Sequence, residues 1–136
     1  SVVMVKNAIK KYEKEGVIVK YKTIINRDIL KDDVQKVRAL IEVRVAPQRG
    51  HGFDHIAERI YRFPEVKSCY LLSGSYDLLL VVEGGDIQEV SSFVSERLAT
   101  IDNVYSTVTH FILKRYKADG DILKRIERNN RIAISF

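Results

Sequence analysis

Between residues 37 and 113 the apolar residues switch repeatedly between strand and helix spacing, and that alternation constrains the fold more than any other feature. Residues 39–46 hold Leu40, Ile41, Val43 and Val45 in a β-branched run of strand length. Phe53, Ile56, Ala57, Ile60 and Tyr61 then keep helical spacing until Pro64, which lacks the N–H that a continuing helix needs. Residues 66–72 read as a strand, Ser73-Gly74-Ser75 as a turn, and residues 76–82 as a second strand closed by Gly84-Gly85. Asp86 is placed to cap a helix carrying Ile87, Val90, Phe93, Val94 and Leu98, with Glu89 three residues on as in a capping box. Residues 104–113 return to strict alternation.

The order β-α-β-β-α-β predicts an α+β domain of ferredoxin-like type, the split βαβ. Its four strands form one antiparallel sheet with both helices on one face. The other face is left bare, and an apolar bare face needs cover; a second copy's sheet supplies it most simply. A homodimer, of the dimeric α+β barrel type, is therefore expected from the strand pattern.

The flanks read differently. Ser1 can cap a helix in which Val5, Ala8, Ile9 and Tyr12 share a face, and Gly16 stands where such a helix stops. Residues 17–25 are rich in β-branched and aromatic side chains and are expected to form one strand or a short hairpin arm. The polar stretch 26–36, with three aspartates, reads as a linker. After Gly120 a short basic helix (Ile122, Leu123, Ile126) and a last edge strand over 131–135 are expected. The chain opens on Ser1 rather than Met, and the sequence reads as the interior of a longer protein.

Composition narrows the class. With 46% apolar and 30% charged residues the 136-residue chain can bury a true core. No apolar run approaches the roughly 20 residues that cross a bilayer, and no secretory leader is visible, so no membrane partner and a cytoplasmic location are expected. Cys69 is alone, which excludes an internal disulfide, and its apolar strand makes it a small buried hydrophobe. The net charge of +5 is unevenly spread. Lys6, Lys10, Lys11, Lys14, Lys20 and Lys22 face only Glu13 and Glu15 at the start, whereas residues 23–113 are mildly acidic. A basic start on an acidic body suggests an end that meets a polyanion; the alternative is a solvated helix face.

Two motifs carry a family resemblance. Val5-Lys-Asn-Ala-Ile-Lys-Lys-Tyr-Glu-Lys-Glu-Gly-Val-Ile18 resembles the recognition helix and first wing strand of Lrp/AsnC winged helix-turn-helix modules, with residues 21–26 supplying the usual strand ending in Ile-Asn. Leu72-Ser-Gly-Ser-Tyr-Asp-Leu-Leu-Leu80 is similar to the Gly-x-Tyr-Asp loop of that family's effector domain, the RAM domain. The motifs lie in the family's order and spacing, and the resemblance spans nearly the whole chain. It implies a partial winged helix-turn-helix at 1–25, a linker at 26–36 and an effector-binding and oligomerisation domain at 37–136. The implied function is a DNA-binding transcriptional regulator that answers to an amino acid or related small molecule held between dimers, which assemble into tetramers or octamers. Ala8 departs from the family's usual arginine, so one DNA contact is expected to be missing. A winged helix-turn-helix also needs two helices before its recognition helix, so double-stranded DNA is expected as a partner of the intact protein only.

The resemblance makes Lys6, Asn7, Lys10, Lys11 and Lys14 the DNA-binding candidates: lysines neutralise phosphates and an asparagine can read an adenine edge. It makes Leu72, Ser73, Gly74, Ser75 and Asp77 the effector-binding candidates. A glycine turn can offer backbone N–H groups to a carboxylate, and Asp77 can take an α-ammonium. A plain hairpin turn is the reading without the resemblance. His51 and His55, spaced i, i+4 near Asp54 and Glu58, lack a third ligand and read as surface histidines; no metal or cofactor is expected. No nucleophile elbow, phosphate loop or paired-carboxylate motif is present, and no catalytic residue is assigned. Two alternatives stay open. A small ferredoxin-like enzyme would place His110 or His51 in a deep apolar cavity between sheet and helices, and a stand-alone ligand-binding module would co-assemble with longer relatives.

Overall fold

The computed structural model describes residues 1–26, 36–47, 50 and 52–123. The described residues form α1 (Val2–Lys14), β1 (Val37–Val45), α2 (Asp54–Tyr61), β2 (Val66–Leu71), β3 (Leu78–Gly84), α3 (Ile87–Phe93) running on into a π turn (Val94–Leu98), β4 (Val104–Phe111), and the two-residue strands β5 (Lys117–Ala118) and β6 (Asp121–Ile122). From β1 to β4 the expected β-α-β-β-α-β order holds.

The main sheet is antiparallel in the order β2-β3-β1-β4. β1 lies in its interior, so its residues are paired on both edges: Ile41 stands opposite Leu80 on β3 and Thr109 on β4. Strand side chains alternate between faces, and the consequence is visible along β1 and β3. Ala39, Ile41, Val43 and Val45, with Leu78, Leu80 and Val82, are buried on the helix side. There they meet Ile56 and Ile60 of α2 and Val90 and Phe93 of α3, with Leu98 and Ile101 closing the layer. Phe63 and Phe93 pack edge to face with ring centroids 5.4 Å apart. The Arg97 guanidinium lies over both rings, 5.4 Å from the Phe63 centroid and 4.9 Å from that of Phe93, and pairs with Glu65.

The start of α3 follows the capping chemistry. The Asp86 side chain accepts from the Glu89 N–H at 2.7 Å, and Glu89 reaches back to accept from the Gly85 N–H at 2.7 Å. The first bond satisfies a donor that the first helical turn leaves over, and the second ties the residue before the cap to the helix. Gly84 is needed for the close approach of this helix, because a Cβ there would stand 2.9 Å from Val90 Cγ2.

The opposite face of the sheet has no helix among the described residues; residues 20–25 and the turn at 118–119 border it across a cleft at its Val81 end. Leu40, Leu79, Val81 and Val108 form its half-buried apolar centre, with Tyr70 at the β2 edge. Polar contacts rim it: Glu42 Oε2 lies 3.0 Å from His110 Nε2, and Arg38 pairs with Glu83 at 3.0 Å. Within one chain the sheet stays open rather than closing into a barrel.

Two expectations are corrected. Residues 17–26 form no strand and pair with no strand among the described residues. Val19 and Tyr21 are exposed there, and an extended segment without a partner cannot satisfy its backbone as a sheet does. Asp121 and Ile122 do not open a helix; they form β6, paired with β5 across Asp119-Gly120. Both turn residues have positive φ, +50° and +87°, the geometry of a tight type I′ hairpin that Asp-Gly favours. The Asn26 side-chain amide donates to the Leu123 carbonyl at 2.9 Å, tying the end of the N-terminal segment to this hairpin. The expected linker at 27–35, the helical position Ile126 and the edge strand at 131–135 lie outside the described residues.

Leu80 is fully buried at the sheet centre beneath both helices. Leu80→Ala is expected to lower the unfolding free energy by about 2–5 kcal/mol through lost burial and an uncollapsed cavity. Urea titration followed by far-UV circular dichroism checks this; a loss near zero would contradict the packing described.

Candidate functional site

The sequence candidates fall at two places. The first is the turn between β2 and β3, where a gap in the sheet's hydrogen bonding explains why an aspartate is present. The β1–β3 ladder has its last residue pair at Val43 and Leu78, and the Asp77 N–H still donates to the Val43 carbonyl at 3.0 Å. One step further, the Val45 N–H would need a main-chain acceptor from residue 76, but the chain has already turned away. The Asp77 carboxylate takes that role, with Oδ2 accepting from the Val45 N–H at 2.8 Å. The side chain thus extends the ladder by one bond. At the same level β1 shifts register against β4, between Arg44 and Val45.

The Leu72 N–H donates to the Asp77 carbonyl at 2.8 Å and closes the turn. Between them Ser73, Gly74 and Ser75 are exposed, and Gly74 has φ +133°, a conformation that side chains resist. Arg44 holds the turn from β1: its Nε and Nη2 both donate to the Ser75 carbonyl, at 3.2 and 2.7 Å. Its guanidinium lies 5.4 Å from the Tyr76 ring centroid. The N–H groups of Ser73, Gly74, Ser75 and Tyr76 have no acceptor among the described residues. All five effector-binding candidates are therefore gathered in one turn that offers free amides beside a carboxylate, a pairing suited to a zwitterion.

The second place is α1. The Ser1 hydroxyl caps it, accepting from the Met4 N–H at 3.3 Å. Lys6, Lys10 and Lys14 follow one another at i, i+4 spacing, and Asn7 and Lys11 form the adjacent row. All five are exposed. The helix buries none of its residues, and its apolar stripe of Val5, Ile9 and Tyr12 is exposed too.

Sequence reasoning missed Arg44. It stands on the bare face of β1, and nothing in its neighbourhood along the chain signals that it reaches a carbonyl 31 residues away.

The remaining candidates disperse. His110 lies on the face away from the helices, against Glu42, and not in a cavity between sheet and helices. His55 is exposed on α2, and His51 lies outside the described residues. Cys69 is half-buried rather than sealed, packed against the core, where burial pushes its thiol pKa up. No group of three His, Cys, Asp or Glu able to hold a metal occurs among the described residues. No described helix is long and apolar enough to cross a membrane. Two clefts, of about 300 and about 420 Å³, open at the other end of the sheet around Arg38, Glu83 and Arg115.

Comparison with known proteins bears on this arrangement. The Lrp/AsnC ligand binding domain model matches residues 38–122. The uncharacterized HTH-type transcriptional regulator YugG of Bacillus subtilis is 50% identical over 132 residues, covering 96% of this chain and 78% of that protein. A transcriptional regulator of Neisseria meningitidis, solved in complex with L-Met, superposes with a TM-score of 0.69 at 24% identity, over 90% of this chain and 77% of that one. A feast or famine regulatory protein of M. tuberculosis, complexed with L-methionine, gives 0.67 at 23% identity, over 91% and 80%. These two likenesses speak to the fold. The family match and the half-identical relative go further, and together they establish that the chain belongs to the Lrp/AsnC family of transcriptional regulators.

Proposed function

We propose that this chain senses an amino acid and sets the assembly of a cytoplasmic, DNA-binding transcriptional regulator, and that it performs no catalysis. The observation that carries this reading is the turn at 72–77. Four unpartnered amides and a carboxylate with one oxygen uncommitted stand together at an exposed sheet corner. The amides of Ser73, Gly74 and Ser75 would take the ligand's carboxylate. Asp77 would take its ammonium through Oδ1 while Oδ2 stays on the Val45 N–H, and Leu72 would bound the site. Two fold relatives solved with L-methionine support that amino acid as the first probe.

A turn on the surface is half a pocket. The reading therefore places a second copy's surface over it, with homodimers built by pairing the bare sheet faces and tetramers or octamers built through the turns. A ligand held between dimers then favours one assembly over another by its difference in affinity for the two. In the intact protein that difference would change how the DNA-reading helices, with Lys6, Asn7, Lys10, Lys11 and Lys14, are spaced along double-stranded DNA.

Two measurements test this. Leu79→Glu, on the bare face between Glu42 and Tyr70, is expected to convert the dimer to monomer in analytical ultracentrifugation while far-UV circular dichroism is unchanged; a persistent dimer would rule out pairing through this face. For the ligand, L-methionine at roughly a hundredfold excess over Kd is expected to raise Tm by about 5–10 °C. Asp77→Asn retains an oxygen for the Val45 N–H but removes the charge, so it should keep the unliganded Tm and lose most of the methionine-induced rise. An undiminished rise in that variant would remove Asp77 from the site. Asp77→Ala is the harsher variant, because it also strands a half-buried N–H at a cost of about 1–3 kcal/mol.

A further inference from the structure

We infer that Arg44 is the positioning residue of the effector turn: from the central strand it fixes the Ser73–Tyr76 amides in the outward arrangement that an amino-acid carboxylate requires. The inference rests on the reading of the turn as a ligand site, and it assigns a role to a side chain outside that turn.

The geometry gives Arg44 three holds. Two guanidinium nitrogens converge on the Ser75 carbonyl at 2.7 and 3.2 Å, which fixes the plane of the Ser75–Tyr76 peptide and with it the direction of the Tyr76 N–H. The guanidinium also lies over the Tyr76 ring, 5.4 Å from its centroid, restraining the residue on the far side of that peptide. Its own backbone sits between Val43 and Val45, whose carbonyl and N–H are both bound by Asp77. The turn is therefore attached to β1 by main chain and carboxylate at Asp77 and by guanidinium at Ser75. Between these anchors and the Leu72 closure stand the residues with free amides.

Such a clamp has work to do. Gly74 is free to adopt many backbone conformations, and an exposed serine–glycine–serine turn left alone would spread over several of them. A ligand that needs one arrangement binds more weakly in proportion to how seldom that arrangement is populated. Arg44 raises that population without touching the ligand. The positive charge also sits beside the proposed carboxylate subsite and adds a favourable field there. Lysine cannot replace it, because a single ammonium lacks the planar fork and stacks poorly on tyrosine.

The test compares the unsubstituted chain, Arg44→Ala and Arg44→Lys by amide hydrogen exchange without ligand and by calorimetric titration with L-methionine. In both variants the amides of Leu72, Asp77 and Val45, protected by the bonds that close the turn, should exchange about tenfold faster, while those of Ile41 and Leu80 in the sheet centre stay unchanged. The Kd for L-methionine should rise about tenfold in both, with Tm without ligand shifted little. Unchanged exchange at Leu72, Asp77 and Val45 overturns the inference, as does faster exchange spread over the whole sheet, which would mark Arg44 as a general stabiliser. Should L-methionine fail to bind the unsubstituted chain, the proposed ligand fails, and the exchange comparison still decides the role of Arg44.

Discussion

A sheet covered by helices on one side only must be two surfaces at once, and the period of two along its strands is the constraint from which the rest of this structure follows. β1 shows it most clearly. Ala39, Ile41, Val43 and Val45 are sealed beneath α2 and α3, so Arg38, Leu40, Glu42 and Arg44 are committed to the bare face. A shift of one residue would exchange these sets and put two arginines and a glutamate into the core, at a cost no domain of this size could bear. The register is thereby set on both edges of β1, and with it the height at which β3 and β4 meet the strand.

That height determines what happens at the corner. β3 reaches β1 only as far as Leu78, and the unpaired Val45 N–H beyond it is a half-buried donor without a main-chain acceptor. A carboxylate at position 77 answers the need, and its second oxygen remains for another partner. The residue that completes the sheet is thus the one proposed above to meet the ligand. On that proposal stability and recognition draw on one side chain, which makes a neutral amide the informative substitution and truncation the blunt one.

Much of this architecture was legible in the sequence because it is local or periodic. The β-α-β-β-α-β order came from spacing, the stop at Pro64 from a missing N–H, and the start of α3 from Asp86 and Glu89, whose mutual capping lies within four residues. The family motif around Gly74 singled out the turn itself. What the sequence hid was either non-local or masked by a stronger local signal. The bond from Arg44 to Ser75 spans 31 residues and depends on strand register, which periodicity does not supply. The Val17–Tyr21 run has strand-forming side chains but no strand beside it among the described residues, and propensity without a partner does not make a sheet. At Asp119-Gly120 the hairpin signal was present, but the apolar spacing of Ile122, Leu123 and Ile126 suggested a helix instead. Two residues of positive φ outweighed it.

The bare face and the turn are parts of one mechanical unit, because Arg44 belongs to both. Its backbone is held in the central strand, its guanidinium holds Ser75, and its stem lies on the same face as Leu40 and Glu42, where a second sheet would pack. Any partner pressed onto that face bears on Arg44, and any ligand that tightens the turn bears on it from the other end. Coupling between two sites needs an element whose arrangement both of them bias. On the proposed reading the β1 corner is such an element: the Arg44 guanidinium on β1 and the Asp77 carboxylate in the turn connect the proposed ligand turn to the proposed assembling face through one strand. Linkage is reciprocal, so an assembly that holds Arg44 more firmly must bind the ligand more tightly, and a ligand that orders the turn must favour that assembly by the same free energy.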